Sequence, residues 1–248
     1  MMTRCLTMFC LLFYTALSNA DCKDPAGPKV IWDSCDKSNL QAANSNLHHG
    51  IFTDTRLTSA NLSGSRIDGA DFRQANAENA DFHKIRANGT RFVSAKLNGI
   101  NLKNAQLRNA SFDRAQLVKA QLNGVIGDRA TFYSAKLKDA DLSNANMESS
   151  DFEQADLSGV KARGSNLNKA VLSNAILDNA DFSNSSLRRA QLDNTSLNGT
   201  NFTGADLRDA DLHGADITGA NFTNAKLGNV IWVDRSRCRM GSVGKCQH

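Results

Sequence analysis

Every fifth residue between Leu47 and Trp232 is apolar, and the register never slips. The series runs Leu47, Phe52, Leu57, Leu62, Ile67, Phe72 and on to Phe222, Leu227 and Trp232, with only Ala77, Ala87, Ala162 and Gly127 lacking a large side chain. Two residues before each large one stands a small or modest residue, such as Ala60, Ser65, Ala70 and Ala75, or a slightly larger apolar one such as Ile85 or Val125. Asn, Asp, Gln, Lys, Ser and Gly fill most of the remaining places. A helix repeats its buried face every 3.6 residues and a strand every 2, so a period of five excludes both as the repeating unit. Five residues with one small and one large inward site describe one side of a coiled ribbon that turns a corner after each unit.

A longer period fixes the number of sides. Phe52, Phe72, Phe92, Phe112, Phe132 and Phe152 are spaced by twenty, and Leu192, Leu212 and Trp232 extend that series. Phe182, Phe202 and Phe222 form a second one. Four units of five per coil would place each ring above the last; a three-sided coil would show spacings of fifteen. Units such as Ala140-Asp141-Leu142-Ser143-Asn144 and Ala205-Asp206-Leu207-Arg208-Asp209 resemble the pentapeptide-repeat family, and the resemblance covers about three quarters of the chain. It implies an all-β fold, a right-handed quadrilateral β-helix of about nine coils, with handedness and turn types supplied by the family and not by the spacing.

The unbroken register argues for one elongated domain over residues 47–232. Residues 1–20 read as a cleaved secretory signal: Arg4, then the apolar run Cys5 to Leu17, then Ser18-Asn19-Ala20 as a cleavage site. The run is about 12 residues, short of the roughly 20 that a spanning helix needs. Lipid attachment at Cys22 is disfavoured by Asp21 before it. Residues 21–46, with Pro25, Gly27 and Pro28, are expected to form an N-terminal cap that covers the first coil without extending it, and 233–248 a C-terminal cap. The flanks, Cys22 with Trp32 and Cys35 at one end and Trp232-Val233-Asp234 to Cys246 at the other, resemble those of bacterial exported repeat proteins. Four cysteines outside the signal, Cys22, Cys35, Cys238 and Cys246, allow three pairings. A solenoid of roughly nine coils at about 4.8 Å each separates its ends by some 40 Å. That favours the local pairs Cys22–Cys35 and Cys238–Cys246. Disulfides and export point together to a bacterial periplasmic or secreted location.

Within the repeats, the small inward residue keeps a narrow interior from overpacking. Asn or Asp before the large residue suits tight turns, because its side chain bonds nearby backbone groups. Two irregularities stand out. Gly127 occupies a large-residue position beside Ile126, which predicts a local bulge turning Ile126 inward. Ala77, Ala87 and Ala162 predict a thinner core.

Sorting outward residues by side gives the side through Leu107, Met147 and Leu187 a basic surplus. It carries Arg66, Arg86, Arg108, Arg129, Lys169, Arg188, Arg189 and Arg208, with Lys226, against Asp68, Asp128, Glu148, Asp206 and Asp209. The side through the Phe series is acidic, with Asp54, Asp71, Asp113, Asp151, Glu153, Asp193 and Asp211 against Arg73, Arg91 and Arg114. These faces are either solvation for a rigid rod or surfaces for a protein or envelope partner. Catalytic motifs are lacking: no phosphate loop, H-E-x-x-H or G-x-S-x-G is present. His48-His49 without a third ligand does not make a metal site, and no cofactor is implied. The expected function is a non-enzymatic exported scaffold or protein-interaction module. One alternative is the DNA-mimic topoisomerase binding of some cytoplasmic family members, which needs a strongly acidic rod. Here 21 basic residues face 20 acidic ones between Leu47 and Trp232, which argues against it and against nucleic acid as a partner. A polysaccharide-binding or polysaccharide-cleaving β-helix is the other alternative; it needs long loops, and no insertion interrupts the period.

Overall fold

The computed structural model describes residues 21–248; the signal read at 1–20 lies outside them. The residue before each large apolar one forms an isolated parallel bridge with the residue twenty later. Four ladders result. The first wall runs from Ile31 through Ile51 and Asp71 to Ile231, the second from Asp36 to Asp216, the third from Gln41 to Asn221, and the fourth from Asn46 to Lys226. The spacing of twenty is therefore met on every wall. Residues 31–46, assigned above to the cap, already stack in register with the coil that follows. No described residue is helical, and none of the bridges lengthens into a continuous strand.

One unit shows why the wall holds. Ala60 N–H donates to Leu57 O at 2.9 Å, closing the corner. Asn61 N–H donates to Leu40 O in the preceding coil at 2.8 Å, and Leu62 N–H to Asp81 O in the next at 2.9 Å. Gly64 N–H then donates to His83 O at 2.9 Å. Four of five amides are satisfied by backbone, and the fifth, on Ser63, takes Asn61 Oδ1 at 3.0 Å. A lone amide left over in every unit, next to a half-buried wall, needs an acceptor. Asn or Asp two residues earlier supplies it, as Asp81 does for His83 and Asp141 for Ser143. Where that residue cannot accept, as with Arg86, the coil below does: Asp68 Oδ1 accepts from Asn88 N–H at 3.1 Å. The residue after this amide turns the corner with positive φ, from 53° to 70°. Asn and Gly hold many of these places because they tolerate that conformation best.

Inside, the rings pile up. Phe52 to Phe152 stack with centroids 4.4 to 5.1 Å apart, and Trp32 meets Phe52 edge-on at 5.6 Å. The column moves to the third wall at Phe182, Phe202 and Phe222, where Leu172, Leu192 and Leu212 face it from the first. The core is not thinner at Ala77 and Ala87. These fill the second and fourth walls of the coil in which Phe72 and Phe82 approach across the interior, edge to face at 6.0 Å. Two large rings on opposite walls leave room only for methyls on the other two. Nor is there a bulge at Gly127. Ile126 keeps its place in the fourth ladder, between Gln106 and Asn146, and faces outward, half-buried. Met147 fills the space that Gly127 vacates. Inward hydroxyls bond carbonyls, as Thr55 Oγ1 does to Trp32 O at 2.6 Å.

Both disulfides are local: Cys22–Cys35 and Cys238–Cys246. Trp32 Nε1–H donates to Asp24 O at 3.1 Å, fastening the first turn under the core. Beyond Trp232 the tail reverses and crosses the rod's end antiparallel, with Arg237 against Ile231 and Val243 against Lys226.

Candidate functional site

The surface holding most of the predicted contact residues is the fourth wall. Each coil presents three outward positions there, and vertical neighbours are one coil apart. That geometry sets the electrostatics, because a side chain meets residues twenty away as readily as those two away. Arg66 and Arg86 both reach Asp68, each at 2.9 Å. Arg108 donates to Asp128 at 3.1 Å, Lys169 to Glu148 at 2.9 Å, and Arg208 pairs with Asp206. Arg188 stands 4.0 Å from Asp209. The basic surplus is thus largely internalised in pairs; among the described residues only Arg129 and Arg189 of the eight lack an ion-pair partner. The hydrogen bonds of Arg208, ahead of an opposing burial effect, hold the Asp206 carboxyl below the usual carboxylate range.

Two shallow troughs run along this wall. One, of about 290 Å³, is lined by Glu148, Asn168, Lys169, Arg188 and Arg189. The other, of about 250 Å³, is lined by Arg108, Asp128, Arg129, Glu148 and Ser149. They share Glu148, and the two unpaired arginines sit one in each. Asn168 braces the floor: its Oδ1 accepts from Arg188 N–H at 2.9 Å and from Ser186 Oγ at 2.6 Å. The basic surplus was visible in the sequence, but its pairing was not, since that depends on which residues stack across coils.

On the first wall the acidic surplus has one organised centre. Asp71 is 4% exposed and accepts from Arg73 and Arg91, with nearest oxygen distances of 2.7 and 2.8 Å. Burial pushes its carboxyl up, but the two guanidinium groups outweigh burial and hold it at about 2. Both arginines are neutralised there, and the centre acts as a clamp between consecutive coils. Elsewhere His48 Nδ1 lies 2.8 Å from Asn46 Oδ1, and the His48 and His49 rings meet edge-on at 5.3 Å. No group of three or more His, Cys, Asp or Glu gathers into a metal-binding cluster among the described residues.

The Pentapeptide repeats family model matches residues 38–76, 55–92, 90–126, 128–161, 155–190 and 185–224. The chain belongs to the pentapeptide-repeat family. The single residue between 38 and 224 left outside those stretches is Gly127, where the large inward side chain is missing. Among solved structures the chain is similar to HetL, a pentapeptide repeat protein involved in heterocyst differentiation regulation from the cyanobacterium Nostoc sp. strain PCC 7120. The two share 28% identity with a TM-score of 0.67, over 85% of this chain and 92% of that one. It is also similar to a trypsin-treated variant of QnrB1, a plasmid-mediated fluoroquinolone resistance protein. That match has 19% identity and a TM-score of 0.60, over 73% of this chain and 89% of that one, and bears on the fold alone. A search of curated protein sequences gives no match. These relatives make the fold a right-handed β-helix.

Proposed function

We propose that the protein is a non-enzymatic pentapeptide-repeat scaffold, exported to the periplasm or secreted, that presents its fourth wall to a protein or envelope partner. The observation that carries this reading is the pair of troughs holding Arg129 and Arg189, the two arginines of the wall that have no ion-pair partner among the described residues. A four-walled tube with caps at 21–30 and 233–248 is a spacer with flat sides. Its fixed coil pitch sets charges at regular heights, which suits recognition of an extended acidic surface. Two disulfides support an oxidising destination. Family membership supports a structural or interacting role in preference to catalysis.

The test is co-purification from the exported compartment, read by mass spectrometry, with Arg129→Glu/Arg189→Glu as the comparison. The reading predicts a partner that the wild type captures and the double variant loses, with an unchanged melting temperature. A partner retained equally by both would move the surface elsewhere. A turnover activity in the purified protein would overturn the non-enzymatic reading.

A further inference from the structure

The two halves of the rod's C-terminal end finish differently. Over the fourth and first walls the reversed tail supplies the next layer. Leu227 N–H donates to Ser242 O at 2.9 Å, Gly244 N–H to Ala225 O at 2.9 Å, Cys238 N–H to Val230 O at 2.9 Å, and Trp232 N–H to Ser236 O at 2.8 Å. Over the second and third walls the equivalent groups, Ala215 O, Ile217 N–H, Ala220 O and Phe222 N–H, have no partner among the described residues. The outer edge of the tail is open in the same way: the N–H and C=O of Arg237 and of Val243 are unused. This end also exposes apolar surface, with Met240 at 80% and Val243 at 54%, beside the partly buried Ile217, Ala220, Trp232 and Val233. Open ladder groups next to apolar side chains are a template for another chain.

We propose that this end pairs with the same end of a second copy, about a two-fold axis perpendicular to the rod, with both tails lying side by side in one shared layer. Self-complementarity identifies the occupant. The two-fold places the second copy's second and third walls over this copy's tail, and this copy's own open walls under the second copy's tail. Turning a rod end over reverses the sense in which its chain circulates. The tail runs antiparallel to its own walls, so it runs parallel to those of the second copy. A parallel bridge joins the N–H and C=O of one residue to the two residues flanking its opposite. Those are the groups left open: Arg237 N–H meets Ala215 O of the second copy, and Ile217 N–H of the second copy meets Arg237 O. Val243 stands in the same relation to Ala220 and Phe222. The symmetry repeats all four bonds, and the closed two-fold ends growth at a dimer. Head-to-tail stacking is obstructed at the other end of the rod, where Lys29 N–H donates to His48 O and the N-terminal turn already lies beneath the fourth wall.

The test is sedimentation velocity on the purified protein across a concentration series, with amide hydrogen exchange at both extremes. The dimer predicts a concentration-dependent doubling of mass and slowed exchange at Ile217, Phe222, Arg237 and Val243 in the concentrated sample. Val243→Pro deletes an N–H that the chain's own fold does not use, and it should raise the dimer dissociation constant about tenfold or more at unchanged melting temperature. A monomer throughout the series overturns the proposal. So does a dimer whose four amides exchange as fast as in the dilute sample, whether or not the proline variant folds. An unchanged dissociation constant in a folded Val243→Pro protein does the same.

Discussion

Met147 occupies the space that Gly127 leaves in the fourth wall. A Cβ built on Gly127 would lie 2.6 Å from Met147 Sδ, one coil further on, and Met147 is fully buried. An unbranched, flexible thioether can lean into a gap that a Leu would leave empty. The two positions therefore form one packing unit spanning two coils. Met147→Ala should cost about 2–4 kcal/mol by opening a cavity on both levels. Gly127→Leu alone should cost about 1–3 kcal/mol by overpacking. Combined, they should cost at least ~1 kcal/mol less than the sum, as a double-mutant cycle in denaturant would show. Additive losses would mean that the two residues do not share the space.

The coil holding Phe72 and Phe82 makes a parallel prediction across the interior. Ala77 and Ala87 are small there because the rings approach to 6.0 Å from opposite walls. Ala77→Leu should destabilise by roughly 1–3 kcal/mol in the wild-type background. In Phe82→Leu, which restores the one-ring composition of neighbouring coils, the same change should cost less than half as much. Thermal unfolding of the four proteins measures it.

These two sites mark the boundary of what the sequence shows. Period and side count were readable because Phe recurs at twenty, and stacking rings require vertical register. Compensation was not readable, because Ala77 answers to residues five away on adjoining walls and Gly127 to a residue twenty away. A one-dimensional scan registers only a missing side chain in either case. The start of the ladder was hidden for a related reason. Trp32, Lys37 and Ala42 occupy the inward positions of the first coil, and Lys37 breaks the apolar pattern. Its ammonium lies 4.0 Å from the centre of the Trp32 ring, an arrangement open to a cation only at a rod end where it can still reach water. On the fourth wall, the sequence supplied the basic residues, and only stacking decided that most of them are spent on Asp68, Asp128, Glu148 and Asp206.

Asp71 should make stability depend on acid pH. Its carboxyl sits at about 2 in the folded protein, against roughly 3.9 when unfolded. The unfolded chain then binds the proton first as pH falls, so stability decreases on acidification. The contribution is complete above about pH 5 and lost as pH drops through about 2. The full difference corresponds to about 2.6 kcal/mol, which solvent at the half-exposed Arg73 and Arg91 guanidinium groups screens to roughly 1–2 kcal/mol. Asp71→Asn should lower the melting temperature at pH 7 and flatten its decline between about pH 5 and 2.5. An Asn variant with the same slope as the wild type would show that the acid sensitivity comes from other carboxylates.

The tryptophans report on the two ends separately, because the protein has only two, one beside each cap. Trp32 is buried above the Cys22–Cys35 loop and tied to Asp24, while Trp232 tilts against Phe222 at 5.3 Å beneath the tail that Cys238–Cys246 closes. Sequence separations of 13 and 8 give each disulfide about 2–3 kcal/mol in a loop-closure account. In a molecule where each coil touches only its neighbours, that loss should appear as fraying of the end coil, leaving the middle folded. Cys22→Ser/Cys35→Ser should red-shift the Trp32 emission and leave Trp232 unchanged, and Cys238→Ser/Cys246→Ser should do the reverse. Phe substitution of one tryptophan at a time separates the signals. Far-UV dichroism should keep most of its amplitude in both. A collapse of the whole dichroism signal on losing one disulfide would show that the caps govern global folding and that the coils are not independent enough to stand without them.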